Sequence, residues 1–385
     1  MNGVYKLQNE IMRYDWGSPD FIPELLGIKN PDGKPYAELW MGTHPRGPSL
    51  ALLDEGKRPL SDLTGSLPFL FKVLAAEKPL SIQAHPDRAH AMAGYARENS
   101  LGIPLDAPER SYKDPNHKPE ILCALTPFRA LCGFRKPEDI KQRLSALSCP
   151  AVKKLTAPLD SVGADGASRE NGAVKNFLRA LFTLTDDERA GISSFIEKNM
   201  DRVKNEYEGF IPELELTEKL NGLFPRDPSV LSPLYLNVVD LERGQAIFVP
   251  PGVVHAYIHG AGIELMAASD NVIRGGLTTK QIDSAELFDV ARFTPFMPDI
   301  LKPEPGVRYP APADDFSLTW IDNAGGEAAF PVSSASILVC TSGNVSLRFK
   351  DGEKIAIGRG ESVFVTEAAR ENLYLAGSFE AFIAC

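Results

Sequence analysis

Four short segments carry side chains able to hold a divalent metal next to fixed positive charge. They are SIQAHPD at 81–87, YKDPNHKPE at 112–120, FVPPGVVHAY at 248–257 and NVIRGGLTTK at 271–280. Gln83 and His85 stand two residues apart, so on a strand both leave the same face and can reach one ion. Pro86 then ends regular pairing. Glu120 adds a carboxylate and His255 a second imidazole. Two nitrogens and two oxygens suit zinc, with manganese, cobalt or iron(II) as alternatives, and the lack of a thiolate points to a catalytic rather than a structural ion. Arg274 and Lys280 add cations beside this set. A metal with fixed positive charge suits a small phosphorylated molecule with vicinal oxygens.

Each residue alone has a plainer reading. A histidine before a proline is commonly a turn residue, a lone glutamate commonly faces solvent, and glutamine is an uncommon ligand. The convergence of four ligand types makes the site. His44, His90 and His259 read as structural or solvent-facing. His117, close to Glu120, reads as a supporting group.

The elements that must position these residues are mostly strands. Up to about residue 135, apolar runs such as LPFLFKVLAA are short and broken by Pro, Gly and Asp, and NPDG at 30–33 marks a turn. Helical spacing then appears. Val174, Phe177, Leu178, Leu181 and Phe182 fall on one helix face. Thr185 and Glu188 form a capping-box pattern ahead of Ile192, Phe195, Ile196 and Met200. Pro212 suits the opening of another short helix. Residues 136–228 are therefore expected to be a helical insertion. Strand-like text resumes at LYLNVVDLERGQAIFVPP, and a linker at 296–312 lies within a stretch holding six prolines from Pro295 to Pro312. RGQAIFVPPGVVHAY at 243–257 echoes RGESVFVTEAARENLY at 359–374, with Glu371 where the first copy has His255. The expected architecture is mainly β: one barrel from 1–135 and 229–295, and a second, metal-free barrel at 313–385.

At 385 residues the chain calls for more than one core. A net charge of −10 without a Lys/Arg block argues against nucleic acid or an anionic membrane as partner. An anionic ligand would need a local cationic pocket against that global charge. No apolar leader opens the chain, and the ten-residue run LPFLFKVLAA contains Lys72 and is too short to span a bilayer. Five cysteines without a CxxC suit reduced thiols in a cytoplasm, and a monomer is the expected state.

YDWGSPDFIPELLG, YAELWMGTHPRGPS, LPFLFKVLAAEKPLSIQAHPD, YKDPNHKPEILCALTPFRALCGF and FVPPGVVHAYIHGAGIELMAASDNVIRGGLTTK together resemble the type I mannose-6-phosphate isomerase family. The resemblance runs over most of residues 1–290 and is looser in the helical stretch and beyond 295. It implies a cupin-type catalytic barrel interrupted by a helical domain and followed by a second cupin-like barrel. It places the family's zinc ligands on Gln83, His85, Glu120 and His255, one ion per chain. Its active-site arginine falls on Arg274, with Asp270 and Lys280 nearby, its HKPE lysine on Lys118, and the serine before IQAH on Ser81.

The implied reaction interconverts mannose 6-phosphate and fructose 6-phosphate. Such chemistry needs a base between C1 and C2, an electrophile for the enediolate oxygens and a grip on the phosphate. Arg274 keeps its proton and suits an electrostatic role. Gly275 and Gly276 beside it would let the backbone approach a ligand closely. Lys280, Lys72 and Ser81 are expected at the phosphate. Glu264, an acid in the apolar segment GIELM, needs a partner or a task. Glu264 and Asp270 are the expected proton carriers, with Lys118 assisting and His117 as a further candidate. Trp16 and Tyr257 would wall the pocket. A binding protein with a vestigial metal and a metal-dependent oxygenase are the competing classes. The cation cluster speaks against the first and Gln83 against the second. No Gly-rich phosphate loop supports a nucleotidylyltransferase.

Overall fold

The structure is a computed structural model that describes residues 3–161, 167–332 and 334–385. Among them, two large antiparallel systems of strands, one of ten and one of eight, sandwich a shared apolar layer. The ten-stranded system holds the four motif segments. Its organiser is the long strand His255–Ala267. The first part of that strand pairs with Phe128–Phe134, at His255↔Cys132 and Tyr257↔Ala130. A register shift follows between Tyr257 and His259. The remainder pairs with Phe69–Ala76 on one side and Glu120–Ala124 on the other. One continuous strand thus serves two parts of the system.

Side-chain alternation along these strands sorts the sequence into two faces. Phe69, Phe71, Val73, Ile121, Cys123, Ile263 and Leu265 face the shared layer, where they meet Ile337, Val339, Phe364 and Phe382 of the other sheet. Lys72, Glu120 and Glu264 alternate with them, and Glu264 pairs in register with both Lys72 and Leu122. Charged residues are therefore carried to the opposite face by the same period that buries the apolar ones.

Between the paired strands Phe128–Phe134 and Leu236–Leu241, every described helix or strand is helical. Val174, Phe177, Leu178 and Leu181 of the helix Ala167–Phe182 enter one core with Ile192, Ile196 and Met200. That core continues onto Ile82, Ala84, Leu131, Val254, Ala256 and Ile273, behind the metal-ligand motifs. The capping box closes as expected at Asp186–Glu206: Thr185 accepts from the Glu188 N–H, and the Glu188 side chain accepts from the Thr185 N–H. Pro212 stands in the first turn of Ile211–Leu223.

The N-terminal boundary needs correction. Residues 1–135 were expected to belong wholly to the first barrel, yet Val4–Gln8 pairs with Ser362–Val365 and with Leu50–Leu53, which in turn pairs with Gly56–Pro59. Those three N-terminal strands join the eight-stranded sheet. Strand pairing depends on partners hundreds of residues away, which local periodicity does not encode. The internal echo has a structural counterpart. Ala246–Val249 followed by His255–Ala267 matches Ser362–Val365 followed by Leu373–Ala384. His255 is fully buried, whereas Glu371 lies exposed in a 3-10 turn.

Candidate metal centre and anion site

The strand Ile82–Ala84 is short because Pro86 cannot donate to a ladder. In it Gln83 pairs with His255 on one side and with Arg274 on the other. Residues directly opposite in an antiparallel ladder share a face, so Gln83, His255 and Arg274 project to the same side. His85 follows immediately. The turn leading into His255 is tied to it, because Gly252 donates its N–H to the His85 carbonyl at 2.7 Å. Gly252 has φ +83°, and a Cβ there would meet the Arg292 side chain at 2.7 Å, so glycine is required.

His85, Glu120 and His255 are fully buried, and their ligand atoms all lie within 4.8 Å of one another. His85 Nδ1 donates to the Asn271 carbonyl at 2.8 Å, and His255 Nδ1 donates to the Val253 carbonyl at 3.0 Å. A carbonyl can only accept, so both rings carry their proton on Nδ1 and turn the Nε2 lone pair inward. His255 Nε2 is 3.0 Å from Glu120 Oε1, and His85 Nε2 is 3.2 Å from Glu120 Oε2. Among the described residues, His255 Nε2 and Glu120 Oε2 are buried without a hydrogen-bond partner. Such orphaned acceptors are costly unless a cation completes them, and the donor set fits zinc.

The surrounding charges keep these groups in ligand form. Burial, reinforced by the Lys118 ammonium, pushes His85 down to about 4, against the pull of Glu120. Burial works to raise Glu120, but Lys118, His255 and His85 hold it well below the usual carboxylate range. Lys118 Nζ sits 3.2 Å from His85 Nε2 and 3.5 Å from Glu120 Oε2. Tyr257, expected as a pocket wall, donates its hydroxyl to Glu120 Oε1 at 2.7 Å and is fully buried. Tyr257→Phe is expected to weaken metal binding by about 10–100-fold while leaving the fold intact, the usual effect of losing a partner of a ligand. Titration against a competing chelator measures it, and unchanged affinity would remove Tyr257 from that role.

Lys72 departs from its expected place at the phosphate. It is buried, 2.7 Å from Glu264 Oε2 and 3.3 Å from Glu38 Oε1. Its register opposite Glu264 commits its donors to these two acids. Two carboxylates thus share one ammonium. Burial raises Glu264 above the ordinary carboxylate value, with Lys72 opposing and Glu120 and Glu38 adding to the rise.

Arg274 is half-buried and, among the described residues, has no hydrogen-bond or ion-pair partner for its guanidinium. Burial lowers its proton affinity, and burial followed by Arg274 lowers that of Lys280. Lys113, which donates to the Leu105 carbonyl at 2.6 Å, feels the same arginine. These cations gather without a balancing acid at Arg274. Gly275 and Gly276 serve packing instead of ligand approach. Added Cβ atoms would meet Leu287 at 3.0 Å and the Ser229 side chain at 2.3 Å. Ser81 lies half-buried just before Ile82–Ala84, and Trp16 stacks on Tyr14 with ring centroids 5.6 Å apart. His117 Nε2 is 2.7 Å from Asp315 Oδ2.

Asn271 was not singled out by sequence. Its carbonyl orients His85, and its side chain ties down the 113–116 loop through Lys113 N, the Asp114 carbonyl and the Asn116 carbonyl. Its place in NVIRGG, three residues before Arg274, was the available signal.

A mainly β scaffold bearing a buried two-histidine, one-carboxylate centre beside unpaired cations is that of a mononuclear metalloprotein built for an anionic ligand. Residues 4–137 match the family described as phosphomannose isomerase type I, catalytic domain. The mannose-6-phosphate isomerase of Salmonella typhimurium is 36% identical over 384 residues, covering 94% of each chain. That of Homo sapiens is 32% identical over 419 residues, again 94% of each. A zinc-bound crystal structure of mannose 6-phosphate isomerase superposes with a TM-score of 0.87 at 34% identity over 99% of both chains. A Salmonella typhimurium structure bound to fructose 6-phosphate and zinc gives 0.86 at 34%, also over 99% of both. The chain belongs to the type I mannose-6-phosphate isomerase family.

Proposed function

We propose that this protein is a zinc-dependent aldose–ketose isomerase that interconverts mannose 6-phosphate and fructose 6-phosphate. Beyond family membership, one observation carries the reading: Gln83 stands in register opposite both His255 and the unpaired Arg274. This register supports reading a metal ligand and an anion contact as neighbours on one face. Gln83, His85, Glu120 and His255 hold one zinc ion. When bound, zinc supplies a Lewis acid for the sugar oxygens. We read the scaffold as a cupin-like catalytic barrel with a helical insertion, followed by a second cupin-like barrel without metal.

Glu264 is the best-placed carrier of the proton between C1 and C2. Burial raises it toward the working pH, and it shares Lys72 with Glu38, so one carboxylate of the pair is left with a real proton affinity. Lys72 holds Glu264 in place. Asp270 is suited to take a hydroxyl proton at the mouth, because His44, Arg46 and Lys118 outweigh the effect of burial and keep it below the usual carboxylate range. Lys118 assists beside Glu120 and His85. Arg274 faces the developing oxyanion or the phosphate, with Lys280 and Ser81 at the phosphate and Trp16 at the rim. A coupled assay with mannose 6-phosphate, before and after chelation and again with added zinc, tests the reading. Activity should fall on chelation and return with zinc. Unaltered turnover in the metal-stripped protein would sink the zinc assignment.

A further inference from the structure

His44 lies in THPRGPS, outside every ligand motif, and sequence alone gave it no task. Its ring meets the Trp40 ring edge-on at 4.9 Å, and its side chain is only 9% exposed. The Arg46 backbone N–H donates to His44 Nδ1 at 3.3 Å. An Nδ1 that accepts leaves the ring proton on Nε2. That Nε2 lies 3.2 Å from Asp270 Oδ2, while Arg46 donates to Asp270 Oδ1 at 2.7 Å. The same Arg46 guanidinium packs over Trp40 at 5.4 Å. Trp40 in turn donates to Glu38 at 2.8 Å, the acid that shares Lys72 with Glu264. The Asp270 backbone N–H donates to Asp114 Oδ2 at 2.8 Å. Asp270 immediately precedes Asn271, whose carbonyl holds His85.

We infer that His44 is a positioning residue for Asp270: as the Nε2–H tautomer it fixes one carboxylate oxygen while Arg46 fixes the other, so that the carboxylate meets a sugar hydroxyl ionised and already oriented. This rests on the reading of Asp270 as a proton-handling group. The charged and titratable groups around Asp270 are His44 and Arg46 on the Trp40 side, Lys118, Lys113 and the Asp114 carboxylate from the 112–118 segment, and Tyr14 from the N-terminal segment. Arg46 is 59% exposed on its side chain and reaches from solvent. His44 is the shielded member, and its ring geometry is set by contacts on three sides.

The test uses zinc-loaded full-length protein with mannose 6-phosphate and four variants: His44→Ala, His44→Gln, Asp270→Asn and the double variant His44→Ala/Asp270→Asn. Gln places an amide N–H near the position of Nε2. His44→Ala should lower kcat about 10-fold or more, the scale of a hydrogen bond to a charged group, with KM within about 2-fold and zinc content unchanged. The acid limb of its kcat profile should move to higher pH, since Asp270 loses a donor that favours its ionised form. His44→Gln should recover most of the loss. Added to Asp270→Asn, His44→Ala should cost little more, because it acts through that carboxylate. A full, additive loss in the double variant would overturn the inference, as would equal losses in the Ala and Gln variants. Near-normal kcat in His44→Ala alongside a severely impaired Asp270→Asn would overturn the role of His44 and leave that of Asp270 standing. Near-normal kcat in Asp270→Asn would overturn both.

Discussion

His255→Ala is expected to lose its metal and its turnover together, with activity down about 1,000-fold or more. Three features fix the direction. Among the described residues, His255 Nε2 is buried without a hydrogen-bond partner. Its tautomer is set by the Val253 carbonyl. Its neighbour Glu120 has three positive or potentially positive groups around it and one orphaned oxygen. Removing the imidazole leaves a donor set too poor to hold zinc against water. The expected loss corresponds to several kcal/mol of charge stabilisation by the Lewis acid. Metal analysis beside steady-state kinetics checks it, with circular dichroism to confirm that the protein has folded. His255→Gln, which keeps a neutral ligand atom, separates lost coordination from a lost side chain and should retain part of the metal. A His255→Ala protein with a full complement of zinc would take His255 off the ligand set.

Arg274→Ala is expected to keep fold and zinc but to lose about 100-fold or more in turnover, the scale of one well-aimed oxyanion donor. The structure strengthens the reason. A half-buried guanidinium with no acid beside it is an incomplete interaction within the free protein. Its neighbours Lys280 and Lys113 repel it. An anion resolves both problems at once. Arg274→Lys should recover only part of the activity, because an ammonium lacks the planar fork of donors. If the arginine serves the phosphate instead, the Ala variant should show a raised KM with kcat largely kept. Near-wild-type values for both parameters would exclude both roles.

The buried triad His85, Glu120 and His255 was legible because its signals are local. A Gln-x-His pair before proline, a carboxylate after HKP and a histidine closing PPGVVH each sit in a short turn or strand end that the chain itself dictates. The helical stretch was legible for the same reason, through the 174–182 stripe and the Thr185–Glu188 cap. What stayed hidden depends on pairs far apart in sequence. Lys72 lies opposite Glu264 only because His255–Ala267 runs beside Phe69–Ala76, so its charge is spent on the buried acids Glu264 and Glu38. Tyr257 is a ligand's support only because Glu120 reaches the same interior. Gly275 and Gly276 suggested ligand approach, yet Ser229 and Leu287 fill that space. His44 meets Asp270 across 226 positions of chain, a separation no spacing rule reaches.

The strand Val4–Gln8 sits in register with Val365–Ser362, with Leu50–Leu53 on its other edge. For a ribosome this means that this strand cannot find its central neighbour until some 350 residues later. At about 5–20 residues per second the wait is roughly 20–70 s. Over that interval the N-terminal strands present an open edge, the kind of surface that recruits chaperones or other nascent chains. The metal centre is free of this delay, since all its ligands have emerged by residue 255. Synthesis from the N-terminus therefore permits His85, Glu120 and His255 to meet before the sheet that fastens Val4–Gln8 to Ser362–Val365 can close.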